Sequence, residues 1–169
     1  MKFDPKFIVK VAGTLTVISL VTAAVLGGVN AVTKDPIAAI NAEKTQQAMA
    51  AVVSDPTAFQ AVESIPQEAM DAATSYGGTL TELYDGQGTG YVMKVVASGS
   101  QGSIEMMVGI DADNAVTGVS IVDHSETSGI GTKVCGNKPN DDGVPVLDQF
   151  VGMSGAGTLK VGKTVTAIS

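Results

Sequence analysis

From Val11 to Val32 the chain runs for 22 residues without a formal charge, and the run holds Leu15, Val17, Ile18, Leu20, Val21, Val25, Leu26 and Val29. A helix rises about 1.5 Å per residue, so about 20 apolar residues cross the hydrocarbon core of a bilayer. This run meets that length. Thr14, Thr16, Ser19 and Thr22 are tolerable inside it, because a helical hydroxyl can donate to the carbonyl one turn earlier. The region also has the outline of a secretory signal, with Lys2, Lys6 and Lys10 as its basic part and Val29-Asn30-Ala31 as a passable cleavage site. A retained anchor is the favoured reading, with residues 1–10 before the membrane and 11–32 as the span. Three lysines and the terminal amine precede the span, while Lys34 and Lys44 follow it. The positive-inside tendency therefore puts the N-terminus in the cytoplasm and the remainder on the outer face of the cell's inner membrane.

Charge divides the chain at the same place. Residues 1–32 carry three Lys against Asp4, net +2, whereas residues 33–169 carry seven Lys against sixteen acids, net −9. An acidic domain that lacks Arg repels phosphate backbones, which argues against a nucleic-acid partner. Cys135 and His124 are the only residues of their kinds, so no internal disulfide and no Cys/His metal spacing exists. Any redox role calls for an organic cofactor. With aromatics at 4% and no Trp, the core of the one domain that follows the anchor must come from Val, Ile, Leu, Ala and Met.

Asp35-Pro36 reads as a helix start, with Asp as cap and Pro at the first helical position. The helix it opens has Ile37, Ile40, Ala48, Val52 and Val53 on an apolar side, Glu43, Lys44, Gln46 and Gln47 largely opposite, and an end at Ser54-Asp55-Pro56. A second helical segment over 57–78 closes at Tyr76-Gly77-Gly78, making 33–78 a juxtamembrane helical region. From Thr79 the period becomes that of strands: Thr79 to Asp85, Gly90 to Ala97, Ser103 to Ile110 and Ala115 to Asp123, separated by Gly- and Asp-rich turns. The fold class is α+β, an antiparallel sheet with flanking helices over 79–169. Asp111-Ala112-Asp113-Asn114 reads as a turn whose side chains bond their own backbone, since the glycine and distant Glu of a calcium loop do not follow. No metal ligands are expected.

The chemistry-bearing stretch is His124-Ser125-Glu126-Thr127-Ser128-Gly129-Ile130-Gly131-Thr132-Lys133, at the exit of the last strand. Its glycines would let a backbone approach a ligand, and N–H groups opening into a helix would favour an anion. A lone His is more often a packing residue than a catalyst, and without a nucleophile motif the chain is not read as a hydrolase. Gly129-Ile130-Gly131 lacks the third glycine and the βαβ setting of a dinucleotide site. The residues alone point no further than an anion or cofactor loop. Cys135 reads as a small buried apolar group, and residues 136–145 as a solvated loop.

The ordered string from His124 to Gly131 follows the strand Val116-Thr117-Gly118-Val119 and precedes Leu147-Asp148-Gln149-Phe150 and Ala167-Ile168-Ser169. Together these resemble the FMN-binding domain shared by the Rnf and Na⁺-translocating NADH:quinone reductase complexes. With the single N-terminal span, the resemblance covers nearly the whole chain, and its short length is closer to the Rnf G-subunit branch. The resemblance implies FMN joined through its phosphate to a Thr hydroxyl, in a Ser-Gly-Ala-Thr motif. Ser169 is the first residue of that motif, so the acceptor Thr is expected three positions beyond it, in a domain that continues; Thr164 and Thr166 stand outside the frame. The implied FMN-binding residues are His124, Glu126, Thr127, Gly129, Ile130, Gly131, Lys133 and Ser169, with Glu126 and Thr127 on the isoalloxazine's polar edge and Ile130 on a ring face. The implied function is electron carriage within a complex that couples ferredoxin and NAD⁺ oxidoreduction to Na⁺ or H⁺ movement. Its other membrane subunits would supply iron–sulfur centres and a further flavin. The alternatives are the equivalent quinone-reductase subunit and a flavin-free membrane-tethered assembly module.

Overall fold

A computed structural model describes residues 5–129, 131–155 and 165–166, in two compact units, Met1–Glu43 and Lys44–Ser169. Helix α1, Pro5–Val52, supplies all of the described part of the first unit and enters the second at Lys44. In the first unit its apolar side chains, among them Leu15, Ile18, Leu20 and Leu26, are exposed all round. A helix that is apolar on every side suits a membrane span. Thr14, Thr16 and Thr22 each donate to the carbonyl four residues earlier at 2.9 Å, which removes the cost of carrying their hydroxyls into lipid.

No new helix begins at Asp35-Pro36, because Pro36 lies inside α1. A proline removes one N–H to C=O bond, here the one to the Val32 carbonyl at the very end of the uncharged run. The Ala-, Glu-, Lys- and Gln-rich sequence after it is a strong helix former, and the apolar run before it is held helical by the need to satisfy its backbone bonds internally in lipid, so the helix continues across the gap.

In the second unit α1 ends at Val52, and Asp55 then caps a 3-10 turn over Pro56–Ala58 by accepting from the backbone N–H and the hydroxyl of Thr57. The expected helical segment over 57–78 is only partly helical. A two-residue strand β1, Gln60–Ala61, pairs with the next strand, and α2 occupies Gln67–Ser75, closing at Tyr76 with Gly77 at φ +82°. Strands β2 (Gly78–Asp85), β3 (Gly90–Ser98), β4 (Ser103–Asp111) and β5 (Val116–His124) follow as an antiparallel meander in the order β1-β2-β3-β4-β5. The boundaries of β2 to β5 fall within about a residue of those the alternating pattern predicts. Asp111 accepts from the N–H groups of Asp113 and Ala115, and Asn114 takes φ +61°, which makes the Asp-rich segment the expected turn.

The last turns of α1 lie on one face of this sheet. Ala48, Met49 and Val52 pack with Val92, Met107 and Val122, flanked by Val53, Phe59 and Tyr84. Gly109 and Gly118 are cross-strand partners, and a Cβ on either would stand 2.8 Å from Val52 backbone atoms. The absence of side chains on these two residues lets the helix end rest on the sheet backbone. Thr117 Oγ1 donates to the Val52 carbonyl at 2.7 Å, satisfying one of the carbonyls orphaned at a helix C-terminus. Ile37 and Ile40, expected on this same apolar side, belong to the first unit and stay half exposed. Lys44, expected to face away, bonds Asp123 Oδ1 at 3.0 Å. On the sheet itself the nearly buried Lys94 ammonium lies between Glu82 at 3.1 Å and Glu105 at 3.6 Å, so the charge is compensated from both neighbouring strands.

Candidate cofactor site

Strand β5 delivers His124 opposite Ile104 and Asp123 opposite Glu105, so the loop that follows starts beside the β3–β4 hairpin turn at 99–102. His124 is half-buried, and its Nδ1 accepts the Glu126 N–H at 3.2 Å, which leaves the proton of the neutral ring on Nε2. This bond folds the chain back immediately after the strand. Glu126 Oε1 in turn accepts the Gln101 N–H at 3.2 Å. The turn is closed by Gly99 donating to the Gly102 carbonyl at 2.7 Å.

Further along, Gly129 at φ +89° donates to Thr132 Oγ1 at 2.9 Å, and the Gly131 N–H donates to the Thr127 carbonyl at 3.1 Å. Helix α3, Gly131–Cys135, then adds a single turn. The sequence pattern anticipates N–H groups open to an anion, but those of Gly129 and Gly131 are already used within the loop. A helix this short also adds little dipole. Ser125, Thr127, Ser128 and Lys133 are exposed residues of the same segment. Ile130 and Ser169 lie outside the described residues.

The structure thus brings His124, Glu126, Thr127, Gly129, Gly131 and Lys133 onto one short segment at one end of the sheet. It adds Gly99, Gln101 and Gly102 from the neighbouring hairpin. Glycines in that turn were visible in the sequence, but their partner lies 25 residues away and carries no local signal. Cys135 is partly buried, and burial, reinforced by the Glu126 carboxylate, pushes its thiol pKa up. Such a thiol is a poor nucleophile. The 136–145 loop is organised by two asparagines: buried Asn140 accepts from the N–H groups of Asp142 and Val144, and Asn137 links Leu147 N–H to the Asp148 carboxylate. A cleft of about 590 Å³ lined by Val52, Asp55, Phe59, Ile110 and Thr117 sits at the start of β5, and it includes none of the candidate residues. Among the described residues no cluster of His, Cys, Asp and Glu could hold a metal ion.

Two family matches fall on this chain: an FMN-binding domain over residues 99–169 and an RnfG N-terminal region over residues 1–52. The G subunit of the Na(+)-translocating ferredoxin:NAD(+) oxidoreductase complex of Acetobacterium woodii is 31% identical over 173 residues, covering 98% of this chain and 80% of that protein. The G subunit of the ion-translocating oxidoreductase complex of Methanosarcina acetivorans is 32% identical over 171 residues, covering 98% and 86% respectively. A third such protein, from Aliivibrio fischeri strain ES114, is 41% identical over 51 residues, covering 30% of this chain and 24% of its own length.

Proposed function

Because the chain belongs to the RnfG family, the G subunits of Rnf-type ion-translocating oxidoreductase complexes, we propose that it is the electron-carrying FMN subunit of such a complex. The observation that carries the reading is the loop from His124 to Lys133, folded against the β3–β4 turn inside the segment that matches the FMN-binding domain. The residues present fit a flavin phosphate and polar ring edge: exposed hydroxyls at Ser125, Thr127 and Ser128, an exposed Lys133, and His124, whose Nδ1 is taken by the Glu126 N–H and whose Nε2 faces away from that bond as a donor. When bound, FMN supplies one-electron transfer, a chemistry for which the protein needs no nucleophile or general acid of its own.

This chain's own part is to bind and hold. Lys133 and the loop hydroxyls offer a phosphate charge-assisted and neutral hydrogen bonds. Gly129 keeps the backbone open at the centre of the loop, Gly131 makes room for Glu126 behind it, and Ile130 is assigned to a ring face. The covalent phosphoester to a Thr three positions beyond Ser169 belongs to the same proposal. A tether of that kind suits a domain held outside the cell by residues 11–32, with 1–10 in the cytoplasm, since cytoplasmic FMN could not replace a lost one there. Electrons would come from and go to other membrane subunits of the complex, including its flavin and iron–sulfur subunits.

Denaturing electrophoresis of the native complex tests covalent flavin directly. A yellow-green fluorescent band at the position of this subunit is the expected result. A band that stays dark there while free flavin migrates with the dye front refutes the covalent link, and the absence of flavin altogether favours an assembly module.

A further inference from the structure

The Glu126 carboxylate is enclosed from two sides by residues that have no side chain. A Cβ on Gly99 would stand 2.1 Å from Glu126 Oε1, and a Cβ on Gly131 would stand 2.4 Å from Glu126 Cβ and 3.0 Å from Oε2. Beside them, a Cβ on Gly102 would stand 2.9 Å from Ser125 Cβ. None of these glycines could become alanine without the contact giving way, since real Cβ atoms do not approach so closely. Gly99 and Gly131 come from different segments, the β3–β4 turn and the start of α3. Glu126 Oε1 accepts the Gln101 N–H, and its own N–H donates to His124 Nδ1. One residue thus joins the hairpin turn, the end of β5 and the start of α3.

We propose that Glu126 is a positioning residue, a strut that clamps the β3–β4 turn to the loop and fixes the loop's shape, rather than a group that touches the flavin. The strut itself stands on the geometry of this chain alone; its consequence for the cofactor rests on the FMN reading above. Gln101 N–H is an ordinary turn amide that water would otherwise solvate. The carbonyl oxygen of a glutamine can accept the same bond, so the strut needs the acceptor and the length of the side chain, not its charge.

The test is amide hydrogen exchange on the full-length, detergent-solubilised protein and its variants. Glu126→Ala is expected to speed exchange in 99–102 and 125–129 by about tenfold. Glu126→Gln is expected to remain within about twofold of the parent, since the neutral acceptor persists. Gly99→Ala, which strikes the same junction from the opposite side, is expected to act like Glu126→Ala. Exchange over β2 should not change, which separates loop release from unfolding. Equal acceleration by Glu126→Gln and Glu126→Ala, or no acceleration by Glu126→Ala, overturns the proposal. The exchange measurement needs no flavin, so its outcome is independent of the FMN reading. A second readout is the flavin midpoint potential in the complex: it should move in Glu126→Ala and return in Glu126→Gln. A shift as large in Glu126→Gln, with exchange unchanged, would mean that the carboxylate charge acts on the flavin directly and would overturn the strut.

Discussion

Replacing Gly118 by Ala tests how the anchor helix is seated on the sheet. The added Cβ would stand 2.8 Å from Val52 Cα and 3.2 Å from the Ala51 carbonyl oxygen, against an ordinary contact of about 3.5 Å or more. Both obstacles are backbone, so no side-chain rotation relieves them. The helix end must lift by several tenths of an ångström. That movement loosens Val52, which is 2% exposed, from Val92 and Met107, both fully buried, and lengthens the 2.7 Å bond from Thr117 Oγ1 to the Val52 carbonyl. Overpacking of this kind costs about 1–3 kcal/mol, and for a domain of this size a loss of 2 kcal/mol lowers Tm by roughly 8 °C. Thermal unfolding of the full-length protein in detergent, followed by near-UV circular dichroism, measures the shift. Thr117→Val alone should cost about 1 kcal/mol. Combined with Gly118→Ala it should cost less than the two separately, because lifting the helix has already weakened that bond. A Tm for Gly118→Ala within about 1 °C of the parent would refute the seating of α1 on this glycine pair.

Met107→Ala removes a fully buried side chain beneath α1 and should destabilise the domain by about 2–5 kcal/mol in urea unfolding. Lys44 holds the Asp123 carboxyl below the usual range, so the pair contributes stability above the ordinary carboxylate pKa and loses it as pH falls through the depressed one. Both partners are well exposed, so the contribution is about 0.5 kcal/mol or less, and Asp123→Asn should flatten the acid limb of stability by that amount as pH falls from neutral to below the depressed carboxyl pKa. Cys135, its thiol pushed up by burial and then by Glu126, should react with a thiol reagent at neutral pH far more slowly in the folded protein than in urea. Equal rates would contradict its burial.

The strand positions were legible because alternation and turn residues are local signals: Ile104, Met106 and Val108 alternate, and Gly or Asp closes each hairpin. Which face forms the core was not legible, since the pattern sets Met107 opposite those three residues, yet Met107 is the one fully buried beneath α1. Pro36 misleads because its meaning depends on what flanks it: the same Asp-Pro pair starts one helix and interrupts another. The two-residue β1 is held only by its pairing of Gln60 with Asp85 and Ala61 with Tyr84, and carries no periodicity. Lys44–Asp123 and Gln101–Glu126 join residues 79 and 25 apart, and a single sequence holds no trace of such contacts. Gly109 and Gly118 carry a further signal, not among those that located the strands, since glycine inside a strand marks a close backbone approach, here to Val52. In the candidate loop the sequence shows which residues are gathered, while the structure shows that Gly129, Gly131 and Glu126 spend their bonds within the protein.

Whether this chain carries its own flavin is decided by its intact mass, measured after release from the native complex under denaturing conditions, together with its visible absorbance. The expected mass exceeds that of the polypeptide by one FMN less one water, flavin absorbance stays with the protein, and both are lost when the acceptor Thr is replaced by Val. A mass equal to that of the bare polypeptide, without visible absorbance, would contradict the assignment of this chain as a covalent flavin carrier.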